Sequence, residues 1–215
     1  MKRILCYGDS ITWGCNPEEG GRFDENIRYP RVLGKLLGSE YDVIEEGCGG
    51  RTTVYDTDVD HYVNGKMYLY PCLESHQPLD LIVMMLGTND VANGTRKNAY
   101  YAAAGAQRLI NEIRHWSHDR RTICPQILLL SPPIISLQLR PDINQVFDSP
   151  YAHDQSLLFR RYYQDVAKLC ECSFLAAEDY AEAGSDGVHI TAESHLRLAK
   201  ALAEQAEKML REEQH

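Results

Sequence analysis

Two rhythms alternate along the chain. Short apolar runs stop at turns rich in glycine, proline or asparagine, and between them lie stretches where apolar residues recur every three or four positions. Arg3–Tyr7 predicts a first strand, ended by Gly8-Asp9-Ser10. Val32, Leu33, Leu36 and Leu37 predict a helix over Pro30–Leu37, with proline in its first turn and Gly38 at its end. Tyr41–Glu45 predicts a second strand, closed by Gly47-Cys48-Gly49-Gly50. Leu79–Leu86 is a continuous apolar run, the pattern of a strand buried on both faces of a parallel sheet, and it ends at Gly87-Thr88-Asn89-Asp90. Beyond it the pattern predicts a helix over Asn98–Trp116, a strand over Gln126–Leu130 stopped by Ser131-Pro132-Pro133, and a helix over Gln155–Cys170. A short strand at Ser173–Ala176, a polar loop with Gly184 and Gly187, and a last helix from Thr191 complete the chain.

This β-α alternation predicts an α/β fold, a parallel sheet with helices on both faces, because each parallel strand must be reached by a right-handed crossover. In such sheets ligands bind beyond the carboxyl ends of the strands, so the turns after the strands are the place to look for chemistry. With 215 residues, one domain spanning 1–215 and about five strands is expected. Asn16–Ile27, Asp56–Pro78 and Pro132–Asp154 exceed usual connection lengths and are candidates for pocket walls or subunit contacts.

Composition changes this picture little. The chain is 44% hydrophobic and 25% charged, ordinary for a globular protein, and its formal net charge of -9 argues against a nucleic-acid partner. No run is long enough for a membrane span, and the apolar stretch near the N-terminus is cut at Gly8-Asp9, too early for a signal-peptide core. A cytoplasmic protein is expected. Seven cysteines are scattered rather than framed. Cys6 and Cys124 sit in apolar segments and are expected to be buried thiols. Cys170-x-Cys172 lacks companions at zinc-like spacing, so no metal and no cofactor are expected.

Ser10 follows the first strand in a turn where glycine permits a tight reversal. Taken alone, Gly8-Asp9-Ser10 reads more readily as a plain turn with a serine cap. Ser185-Asp186-Gly187-Val188-His189 adds a carboxylate three residues before an imidazole on one loop. A serine hydroxyl needs a neutral imidazole to take its proton, and that imidazole needs an acceptor on its other nitrogen. His189 alone also reads as a packing residue ahead of the last helix, with Thr191 as the cap. Acyl transfer further needs oxyanion donors. Gly50 offers an unobstructed N–H and Asn89 a side-chain amide, though a bare turn and an Asx-turn are their ordinary roles.

Together the four blocks Gly8-Asp9-Ser10-Ile11, Gly50, Gly87-Thr88-Asn89-Asp90 and Asp186-Gly187-Val188-His189 resemble those of the SGNH/GDSL hydrolases. The resemblance implies a flavodoxin-like three-layer α/β/α fold with a five-stranded parallel sheet. It implies a triad of Ser10, His189 and Asp186, an oxyanion hole made by the Ser10 and Gly50 amides with the Asn89 side chain, and no metal. Arg3 to Gly14, Val43 to Gly47 with Arg51-Thr52-Thr53, and Met85 to Asp90 are similar to the bacterial arylesterase/acyltransferase branch, whose members cleave short-chain acyl esters and tend to form homo-oligomers. A relative in that branch has a tryptophan where Cys15 stands. The implied activity is hydrolysis of small acetyl or aryl esters. Removal of acetyl groups from oligosaccharides is the alternative, and a non-catalytic binding module of the same fold a third reading. Asp9, Trp13, Cys15 and Arg51 are the further candidates for the substrate pocket. Asp9 is expected to hold its turn, Asp90 to cap the segment after Asn89, and Arg51 to bind a substrate carboxylate or, more simply, a structural acid. An ordinary histidine pKa places the rise of activity near pH 6 to 7, about the reference value of 6.5.

Overall fold

A computed structural model describes residues 1–57 and 61–212. Five strands, β1 (Lys2–Gly8), β2 (Tyr41–Gly47), β3 (Leu81–Met85), β4 (Gln126–Ser131) and β5 (Ser173–Ala176), form one parallel sheet in the order β2-β1-β3-β4-β5. The helices are α1 (Ser10–Trp13), α2 (Tyr29–Leu37), α3 (Gly65–His76), α4 (Ala99–Arg120), α5 (Ile143–Val146), α6 (Ser149–Ser156), α7 (Phe159–Leu169) and α8 (Ala192–Glu212). The three-layer α/β/α arrangement expected from the alternation is therefore present.

The strand period of two divides the core cleanly. On one face Leu5, Tyr7, Ile82, Met84, Ile127 and Leu129 pack with residues of α3, α4 and α7. On the other, Ile4, Cys6, Leu81, Val83, Leu128 and Leu130 pack with residues of α2 and α8. All five residues of β3 are buried, as its unbroken apolar run requires. Val32, Leu33 and Leu37 of α2 are buried at helical spacing, and Thr191 caps α8 by accepting from the Ser194 amide through its hydroxyl at 3.1 Å.

Three expectations are corrected. Asp56–Pro78 is not simply a connection, because it contains α3; Asp58 to Asp60 lie outside the described residues. Pro71, exposed within that helix, obscures the pattern, yet Leu69, Cys72 and Leu73 form its buried stripe and the Asn64 side chain caps it by accepting from Lys66 N at 3.0 Å. The helix expected over Gln155–Cys170 is divided between α6 and α7 by Leu157 and Leu158. Cys124 is exposed, unlike buried Cys6, because it stands in the turn before β4 rather than in the strand; all seven cysteines are free thiols.

Candidate active site

The strand order decides which turns meet. β1 is flanked by β2 and β3, with Gly8 opposite Gly47 on one side and opposite Met85 on the other. The segments that follow, carrying Ser10, Gly50 and Asn89, therefore leave the sheet side by side. Hydrogen bonds tie them together: Cys48 N donates to Gly8 O at 3.2 Å, Arg51 Nη1 donates to Gly8 O at 2.9 Å, and Asn89 Nδ2 donates to Arg51 O at 3.1 Å. Gly47 is needed for this approach, since a Cβ there would fall 2.1 Å from Trp13 N in α1.

Ser10 opens α1 immediately after Asp9, whose carboxylate accepts from Ile11 N at 2.9 Å and fixes the turn. The loop between β5 and α8 brings the remaining groups across the sheet. His189 Nε2 lies 2.9 Å from Ser10 Oγ, and His189 Nδ1 lies 2.6 Å from Asp186 Oδ2. The second oxygen of Asp186 accepts from the Val188 and His189 amides, each at 2.9 Å. Asp186 is 1% exposed. The loop is braced from outside: Arg140 N donates to Asp186 O at 3.2 Å, Ser136 N to Gly187 O at 2.8 Å, and Ser185 Oγ and Arg140 Nη1 both donate to Pro17 O, at 2.8 and 2.7 Å. Gly187 has φ 86°, and a Cβ would strike Gln138 O at 2.6 Å, so glycine suits both the turn and the brace.

Electrostatics polarise this chain. Burial disfavours the Asp186 carboxylate, but its bonds with the His189 ring and the two amides outweigh that cost and hold its pKa below the ordinary range. Burial also disfavours the His189 imidazolium; the Asp186 hydrogen bond, aided by the neighbouring Cys15 thiol, overcomes it and raises the pKa above 6.5. The rise in activity expected near pH 6 to 7 thus moves to higher pH.

The pocket candidates divide. Trp13 and Cys15 are partly exposed. Cys15 N donates to Ser10 O at 2.9 Å, and the Arg22 guanidinium lies 5.3 Å from the centre of the Trp13 ring. Asp9 and Arg51 do not line the pocket, being 1% and 4% exposed. Arg51 is held by the Gly8 and Glu46 carbonyls and lies 4.5 Å over the Tyr7 ring, so neither a substrate carboxylate nor an acidic partner explains it. Asp90 also departs from its expected role as a cap. Its carboxylate accepts from the Thr53 amide at 3.0 Å and from the Thr53 hydroxyl, bracing the segment after Gly50.

A cleft of about 340 Å³ opens beside Gly50 and Asn89, walled by Val63, Ala92 and Val146 with Asn93, Thr95 and Gln145. Val63 and Val146 belong to the two long segments singled out in the sequence as candidate walls. Their part in the cleft was not legible residue by residue, because it depends on how Asp56–Pro78 and Pro132–Asp154 fold back over the strand ends.

Residues 6–197 match the pattern of the GDSL-like lipase/acylhydrolase family. The chain belongs to that family. It is 31% identical to a carbohydrate acetylesterase from Sinorhizobium meliloti, over 97% of this chain and 100% of that one, with a TM-score of 0.92. It is 35% identical to the aryl esterase of M. smegmatis, again over 97% and 100% of the two chains, with a TM-score of 0.91. A carbohydrate acetylesterase family member from Sinorhizobium meliloti is 36% identical, over 98% and 99%, with a TM-score of 0.89. No curated protein matches the sequence. As in other members of the GDSL family, the fold is the five-stranded parallel α/β sheet, and among the described residues no helix is long and apolar enough to cross a membrane.

Proposed function

We propose that the protein hydrolyses small short-chain acyl esters through an acyl-enzyme formed on Ser10. The observation that carries this reading is the unbroken Ser10 Oγ–His189 Nε2 and His189 Nδ1–Asp186 Oδ2 chain at 2.9 and 2.6 Å beside the Gly50–Asn89 cleft. His189 Nε2 accepts the hydroxyl proton as Ser10 Oγ adds to the acyl carbonyl, and Asp186 holds Nδ1–H so that the free lone pair faces the serine. The resulting imidazolium returns the proton to the leaving alcohol. Water then repeats the sequence on the acyl-enzyme, releasing the acid and restoring Ser10.

The Gly50 and Ser10 amides and the second hydrogen of the Asn89 amide serve the tetrahedral oxyanion, the first being committed to Arg51 O. A cleft of about 340 Å³ beside Gly50 and Asn89 matches the size of a short acyl ester with a ring-sized alcohol. Sugar acetates are the second reading, favoured by exposed Gln145 with Asn93 on the cleft wall and by the two carbohydrate acetylesterases among the similar structures. Ser10→Ala, assayed with p-nitrophenyl acetate, is expected to abolish turnover while leaving the fold intact; an unchanged rate overturns the mechanism. A panel of p-nitrophenyl acetate, phenyl acetate and acetylated xylo-oligosaccharides separates aryl from sugar alcohols.

A further inference from the structure

Outside the Ser10 site, three donor side chains of different chemistry converge between the edge strand β2 and helix α3. Cys72 and His76 are four residues apart on α3 and so project from one face of the helix. Glu46 projects toward them from the end of β2, with His76 Nε2 2.7 Å from Glu46 Oε1. The thiol sulfur, a ring nitrogen and a carboxylate oxygen all lie within 4.8 Å of one another.

We propose that Glu46, Cys72 and His76 form a binding site for a divalent transition metal of the zinc class. The donor set selects that class: sulfur and imidazole nitrogen suit zinc and its neighbours, whereas magnesium and calcium take oxygen ligands. Tetrahedral zinc with bonds of about 2.0 to 2.3 Å sets its ligands roughly 3.3 to 3.8 Å apart, so the trio needs only a small side-chain adjustment. Entry is from solvent past His76 and Glu46, whose side chains are 24% and 18% exposed, with Cys72 closing the bottom. On binding, the Cys72 S–H bond breaks, a sulfur–metal bond forms and the proton passes to water. The carboxylate and thiolate then balance the two positive charges, and a water takes the fourth position.

The metal would clasp α3 to β2 at the strand end from which Gly50 departs. Glu46 O already accepts from Arg51, and Arg51 O from Asn89, so the clasp steadies the oxyanion side of the cleft without touching Ser10.

Cobalt is the probe, because a cobalt–thiolate bond gives a charge-transfer absorption that other ligands do not. Chelator-stripped full-length protein titrated with cobalt chloride is expected to develop that band, saturating at one equivalent. Cys72→Ala is expected to lose it. His76→Gln changes a partly exposed side chain and so keeps the fold; it is expected to lose the tetrahedral visible bands and the rise in melting temperature that zinc gives the unaltered protein. No band at saturating cobalt overturns the proposal. So does a band retained in Cys72→Ala, which would place the metal on other cysteines such as Cys170 and Cys172.

Discussion

Two aspartates, one at each end of the catalytic arrangement, show how little burial alone decides. Asp186 and Asp9 are each 1% exposed, yet their carboxyl groups are pushed in opposite directions. Asp186 receives the His189 ring and two amides, and its pKa falls below the usual value. Asp9 receives the Ile11 amide on one oxygen and is further aided by the Thr88 side chain, a smaller set of donors than Asp186 has. Burial therefore prevails and pushes Asp9 up from 3.8 to about 6. Asp90, buried against Thr53, is likewise pushed up to about 7 despite its bonds to Thr53. The late loop holds a full negative charge for the imidazole, whereas the Gly-Asp-Ser turn uses its carboxyl group to fix backbone.

That contrast predicts unequal responses to the same change. Asp186→Asn removes the acceptor that fixes the His189 tautomer and is expected to lower kcat on p-nitrophenyl acetate by about 10⁴-fold, a magnitude known for other triads. A loss under tenfold would place the orienting acceptor elsewhere. Asn89→Ala, which removes one oxyanion donor, is expected to cost about 10² to 10³ in kcat with little change in KM.

The pH profile tests the charge itself. Since His189 must be neutral to accept the serine proton and its pKa is raised, the acid limb of kcat/KM is expected above pH 6.5, and it moves down in Asp186→Asn. A limb at or below 6.5 in the unaltered protein would contradict the polarised pair. Asp9 should register in stability instead. A carboxyl whose folded pKa is raised contributes stability that is full below its unfolded value and is lost as pH rises through the folded one, here between 3.8 and about 6. Asn keeps the turn-capping acceptor without ionising. Urea midpoints of Asp9→Asn and of the unaltered protein should therefore draw apart across that window in favour of the variant, and parallel curves would refute the assignment. The smallest effect is expected from Arg140→Ala, which cuts the brace to Pro17: a few-fold fall in kcat with little change in the urea midpoint.

The same comparison explains what was legible in the sequence. Local features were. The apolar run at Leu79–Leu86, the stripe of α2 and the closely spaced Asp186 and His189 are set by neighbouring residues, and β3, α2 and the Asp186–His189 hydrogen bond follow from them. Features that depend on distant partners were not. Asp90 finds Thr53, 37 residues away, where a local cap is expected, and Arg51 finds the Gly8 carbonyl, 43 away, where an acidic partner is expected. Helix α3 is hidden in the sequence because Pro71 and the polar residues around it mask a stripe that only burial against the sheet reveals. The cleft walls were legible as segments, not as side chains.

Ser10 and His189 stand 179 residues apart, and the hydrogen bond between them joins the first strand–helix turn to the last loop. During synthesis the serine, both oxyanion strands and the cleft walls all emerge before the base that activates the nucleophile. A nascent chain therefore carries an inert hydroxyl until its final helix begins to form. On the proposed mechanism, ester hydrolysis begins only once the loop carrying His189 has closed against the first turn.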